Sequence, residues 1–178
     1  ILVIKNDEKN PALIEIGTKD SKIYLDEKGA SKSDLLEGMI VKIDFSGPMM
    51  MSYPGKMNSE YILASSLKPN QINDKIGFYV QVVKDMLEDE NPLREETKAI
   101  GLDLGKAPVK LTEGEKNALE YKLKNIFERE ILFTSVKELK AQSKIENDSW
   151  KDGVLIIFKT LDKEEKVSDI KFKVDKWR

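Results

Sequence analysis

The chain contains no cysteine and no histidine. The first absence removes thiol nucleophiles, redox dithiols and any disulfide framework. The two together remove most zinc and iron sites, and the second removes the usual general base near neutral pH. Arginine is scarce: Arg94, Arg129 and Arg178 stand among 30 basic residues, so bidentate phosphate or carboxylate forks are few. Charge of one sign is also missing. The 30 basic and 32 acidic residues leave a net charge of -2, with no global attraction for nucleic acid or anionic lipid. No apolar run approaches the roughly 20 residues that span a bilayer. The initial Ile1 is read as following a removed signal or lipoprotein leader, with an arbitrary boundary as the alternative.

What is present is a foldable, heavily charged chain. Its 178 residues suit one ordinary domain or two small ones, and a hydrophobic fraction of 40% can build a core. Strand-like alternation marks residues 12–16, 23–25, 39–45 and 57–63. Residues 26–30 and 46–56 read as loops, the second holding Gly47, Pro48, Pro54 and Gly55. One helical turn is expected over 31–36, capped by Ser31 or Ser33. Short strands at close spacing suggest a small barrel or curled sheet, assigned to residues 1–67. Residues 65–73 read as a linker.

The second half, residues 73–178, alternates helices and strands. Asn73 is placed as cap of a helix whose stripe is Ile76, Val80, Val83 and Leu87. Thr112 with Glu115, and Ser135 with Glu138, have the spacing of capping boxes. The helix after Thr112 is expected to bury Leu119, Leu123, Ile126 and Phe127. Strands are expected at 97–104, 130–134, 154–161 and 167–174, the last two as a hairpin. The fold class is therefore α+β, with helices packed on one face of a mostly antiparallel sheet.

No constellation for familiar enzyme chemistry emerges. The acid pairs, such as Asp7-Glu8, Asp26-Glu27 and Glu164-Glu165, lie in polar, Lys-rich stretches, whereas acid–base work needs one carboxyl in a shifting environment. The segment from Asn147 to Gly153 lacks the alternate-position ligands and distal Glu of a calcium loop. Ser65-Ser66-Leu67-Lys68 fits a Ser-x-x-Lys pattern without a supporting motif. Catalytic, cofactor and metal residues are thus expected to be none. The best functional lead is Met49, Met50, Met51 and Tyr53, soft and adaptable side chains that can make a contact surface. The alternative is that they fold over the barrel end or pack between the two halves.

The stretch Met51-Ser52-Tyr53-Pro54-Gly55, with 58–62 after it and the Gly-x-x-Val strand start Gly38 to Val41 before it, resembles small OB-like barrels in uncharacterised exported lipoproteins of Gram-positive bacteria. The ending Lys176-Trp177-Arg178 is similar to C-terminal domains of such proteins. The resemblance implies a fold and an extracytoplasmic location, with membrane attachment only through a lipid anchor upstream of Ile1; it implies no reaction. The expectation is a non-catalytic, envelope-associated binding protein whose partner is a protein, a peptide or a glycan. The alternatives are an OB-type nucleic-acid binder, disfavoured by the balanced charge, and a carboxylate-dependent hydrolase.

Overall fold

A computed structural model describes residues 1–5, 7, 9–88, 97–147, 149–150, 152–160 and 172–177. The chain falls into two compact units, residues 1–77 with 111–118, and residues 78–110 with 119–178.

The first unit is built on β6 (Gly55–Ser65). One edge of β6 pairs antiparallel with β5 (Ile40–Met50). Its other edge pairs in parallel with β2 (Ala12–Gly17) and, further along, with β3 (Lys22–Leu25). The turn over 18–21 separates β2 from β3, so both lie in succession against one neighbour. The strands β1 (Leu2–Lys5) and β4 (Lys28–Ala30) add to β2 and β3 as antiparallel hairpins. Side chains that alternate inward form the core: Ile14, Ile16, Ile23 and Ile62, with Val3, Val41, Ile43 and Met57 packed against them. The pairings among the described residues leave this six-stranded sheet open, so they do not define the closed OB-like barrel expected from the short strands.

Two differences from the sequence expectation have local causes. Residues 26–30 are not a plain loop. Asp26 and Glu27 take φ of 47° and 66°, and Leu25 pairs with Lys28 across them. Two left-handed residues make the tight turn whose twist suits a hairpin. The carboxylate of Asp26 stabilises that turn by accepting from the Ser66 backbone N–H (3.1 Å) and hydroxyl. Likewise, Gly47 and Pro48 do not end β5. They form a bulge, with Gly47 at φ 75° and two more residues on β5 than on β6 between the Ser46–Asn58 and Met50–Lys56 pairs. Gly38, at φ 88°, lies so close to Asn73 that an added Cβ would sit 2.5 Å from its carbonyl carbon. A short 3-10 helix, Lys32–Asp34, follows Ser31 as expected.

The helix α1 (Lys75–Glu88) starts one residue later than a cap at Asn73 would place it. Asp74 accepts from the Gly77 N–H at 2.8 Å, while the Asn73 side chain is engaged with the Lys68 backbone. At α2 (Glu113–Phe127) the capping box forms: Thr112 N–H donates to Glu115 Oε2 at 2.7 Å, and Glu115 N–H to Thr112 Oγ1 at 3.2 Å. The Lys75 ammonium, 2.9 Å away, then binds the same carboxylate. Leu119 and Leu123 are fully buried, but Ile126 is 43% exposed and does not belong to the buried stripe.

The sheet of the second unit has the order β10-β9-β7-β8, with β7 at Ala99–Lys106, β8 at Glu130–Phe133, β9 at Gly153–Thr160 and β10 at Phe172–Trp177. The chain is mixed α and β, but this sheet is mostly parallel, not mostly antiparallel. Only β9 and β10 run antiparallel, and the part of the expected last strand over 167–171 lies outside the described residues. The reason is connectivity: α2 joins β7 to β8 and α3 (Val136–Ala141) lies between β8 and β9, and helical crossovers return the chain in the same direction.

Nor are the helices confined to one face. Leu139 of α3 packs with Ala99, Trp150 and Leu155, while Phe158, of the opposite parity on β9, meets Tyr79 of α1 edge-on at 5.1 Å. Covering both faces explains why β7 and β9 each bury four consecutive residues. Tyr79 is fully buried, and its hydroxyl donates to the Val109 carbonyl at 2.5 Å. Burial pushes its phenol up to about 12, so it stays a neutral donor at all ordinary pH.

Candidate functional site

Residues 45–55 carry no charged side chain, in a chain that is 35% charged. This stretch is the end of the β5–β6 hairpin. The expected contact residues are brought together there and stand out of the core: Met49 is 49% exposed, Met50 65%, Met51 98% and Tyr53 65%, with Phe45 at 52% just before them. Apolar side chains normally lose roughly 1.5–3 kcal/mol of favourable burial by remaining outside. Isolated cases are common on any surface; five within one charge-free hairpin end are a patch.

Short-range bonds hold the end in shape. Ser52 Oγ donates to the Pro54 carbonyl at 2.6 Å, and Ser52 N–H to the Met50 carbonyl at 3.0 Å. The Tyr53 hydroxyl reaches the Asn117 carbonyl at 3.5 Å, which tethers the ring at one end while the residue stays 65% exposed. Two salt-bridged strands flank the patch, because Lys56 pairs with Glu15 at 3.2 Å. The hairpin end thus offers flexible thioethers and an aromatic ring on a backbone held by these bonds.

A second surface was not legible in the sequence. On the outer face of the first sheet, Lys22 sits over the Tyr61 ring, 5.5 Å from its centroid. Their backbones are register partners, and Tyr24 pairs with Leu63 beside them. A shallow open depression of about 470 Å³ adjoins this face, lined in part by Lys22, Tyr24, Ser31 and Asp34. The signal was strand pairing rather than spacing, since Lys22 and Tyr61 lie far apart in the chain.

Four carboxylates have structural tasks. Asp7 is held below the usual carboxylate range by the Lys5 ammonium and the Lys9 and Asn10 N–H groups; Asp26 by Ser66; Asp34 by Ser31; Glu138 by Ser135. Each shift favours the ionised form, the opposite of what a general acid requires. Glu8, Glu90, Glu95, Glu96, Glu164 and Glu165 lie outside the described residues. The candidate segment from Asn147 contains a turn closed by mutual backbone bonds of Glu146 and Ser149, at 3.0 and 2.9 Å; Asp148 and Lys151 within it are not described. In the Ser-x-x-Lys stretch the motif serine, Ser65, is exposed at the end of β6, and the intervening Ser66 is committed to Asp26. Among the described residues no three or more acidic side chains converge as metal ligands. No helix among them is long and apolar enough to cross a membrane.

Compared with protein-family models, curated proteins and solved structures, the chain matches none of them.

Proposed function

We propose that this protein is a non-catalytic interaction module that engages a protein or peptide partner through the end of the β5–β6 hairpin. One observation carries the reading: Phe45, Met49, Met50, Met51 and Tyr53 are exposed together on a charge-free stretch of an otherwise charged chain. Unbranched methionines re-pack against varied apolar shapes at low cost, and a tethered tyrosine adds area with little entropy to lose. The likeness of the Ser-Tyr-Pro stretch to exported lipoproteins supports an envelope location for that contact, on a barrel-like sheet of the OB type.

Site-specific photo-crosslinking in the source cells tests this. A benzophenone amino acid at Met51 is expected to yield a discrete adduct with one other protein that the same probe at exposed Lys19 does not. Equal labelling from the two positions contradicts the reading.

A second reading, single-stranded nucleic-acid binding, is favoured by the Lys22–Tyr61 pair beside Tyr24, an aromatic–basic arrangement on which bases stack. Tyr61→Ala should then weaken retention of a fluorescent oligonucleotide. Absence of retention by the unaltered chain at low salt disposes of it.

A further inference from the structure

The strand β5 is paired on one side only. Its partner is β6, and no described strand takes its other edge. Alternate residues of β5 therefore turn their backbone N–H and C=O groups outward, which is a template for another strand. Long open edges are usually blunted. Here the blunting device is the Gly47–Pro48 bulge, and proline has no N–H to give. The bulge leaves residues 40–46 as a run in which β5 itself carries no extra residue, the one irregularity being Glu60 on the β6 side between the Asp44–Tyr61 and Phe45–Ser59 pairs, and the midpoint of that run is Ile43.

We propose that two copies of this chain pair antiparallel along that edge, residues 40–46 against residues 40–46, about a two-fold axis at Ile43. The charge pattern selects the same register independently. A two-fold perpendicular to a shared sheet sets each residue opposite one on the same face, so the axis must pass through a residue paired with itself. An axis at Lys42 would oppose two ammonium groups, and one at Asp44 two carboxylates. An axis at Ile43 sets Lys42 of each copy opposite Asp44 of the other, twice. Both side chains are exposed, and among the described residues neither has an ion-pair partner.

The apolar face agrees. Val41 and Ile43 are half-buried against the first core, and Phe45 follows them in the alternation yet remains 52% exposed. In the Ile43 register, Phe45 lies opposite Val41 of the second copy, and Ile43 opposite Ile43. The pairing gives the stranded phenyl ring a neighbour. It shares Phe45 with the hairpin-end patch but does not depend on Met49, Met50, Met51 and Tyr53, which lie beyond the paired run.

Charge reversal tests the register. The 178-residue chain is expected to show a monomer–dimer equilibrium in sedimentation velocity between micromolar and millimolar concentration, since the paired run is short beside a standard interface. Lys42→Asp alone, or Asp44→Lys alone, turns both cross-copy pairs from attractive to repulsive. Each should weaken dimerisation on the order of ten- to thirty-fold, as opposed charges across strands do. The double variant K42D/D44K restores opposite charges and should recover the dimer. Circular dichroism of all three variants is expected to match the parent, because both positions face solvent. A parent chain that stays monomeric at millimolar concentration overturns the proposal and leaves the edge to an extended peptide of another protein. A dimer insensitive to both single reversals, or not rescued by the double one, overturns it as well.

Discussion

The two sheets of this protein treat apolar residues in opposite ways. In the second unit, β7 and β9 are sealed on both faces, so that Ile100, Leu102, Leu155, Ile156 and Phe158 are all nearly or fully inaccessible. In the first unit, β6 alternates buried and exposed positions, and the far end of its hairpin leaves large apolar side chains in solvent. A two-sided parallel sheet spends its hydrophobic residues on stability, whereas a one-sided sheet keeps a free face and a free edge. The difference places the sealed core in one region and the exposed apolar side chains in the other.

The largest expected effect comes from breaking the sealed sheet. Phe158→Ala removes a fully buried ring in edge contact with Tyr79 and should cost about 3–5 kcal/mol in urea unfolding, the range for such cavities. A loss under 1 kcal/mol would mean the second sheet is not the stable element. Next comes the start of α3. Ser135 accepts from the Glu138 N–H at 3.3 Å, and Glu138 Oε2 accepts from the Ser135 N–H at 2.7 Å, so Ser135→Ala should cost about 1 kcal/mol. The same cap sets a pH dependence. Glu138, Asp7, Asp26 and Asp34 all ionise more readily folded than unfolded, so their contribution is complete above the ordinary values of 4.5 and 3.8 and is lost as pH falls below them. The melting temperature should be level near neutrality and drop in acid, and Ser135→Ala should lessen that drop. The smallest effect is expected at the hairpin end. The double change M50S/M51S should move stability by no more than about 0.5 kcal/mol, since neither side chain contributes to a core.

The sequence made local features visible and non-local ones not. The Thr112–Glu115 and Ser135–Glu138 caps form as their spacing predicts, because a capping box needs only a few consecutive residues. The alternation from Met39 to Phe45 marks a strand correctly, yet Gly47 and Pro48 hide its continuation to Met50, since a bulge and a loop have the same composition. The parallel pairing of β7 with β9 is invisible in pattern, because the partners meet only after two crossovers. Ile126 looks like a stripe residue by spacing and is exposed at the last turn of α2. At the hairpin end, composition alone singles out the three methionines and Tyr53. Their exposure, and the open edge of β5 beside them, depend on strand order and could not be read from residue spacing.

The six methionines provide an internal footprint of the central claim. Cells are treated briefly with dilute hydrogen peroxide, and oxidation at each methionine is compared with that of the isolated protein. In isolation Met51 and Met50 should oxidise fastest and Met57, packed against the first core, more slowly. In cells Met50 and Met51 are expected to fall toward the Met57 rate because a partner covers them, and rates that match the isolated protein would contradict the account.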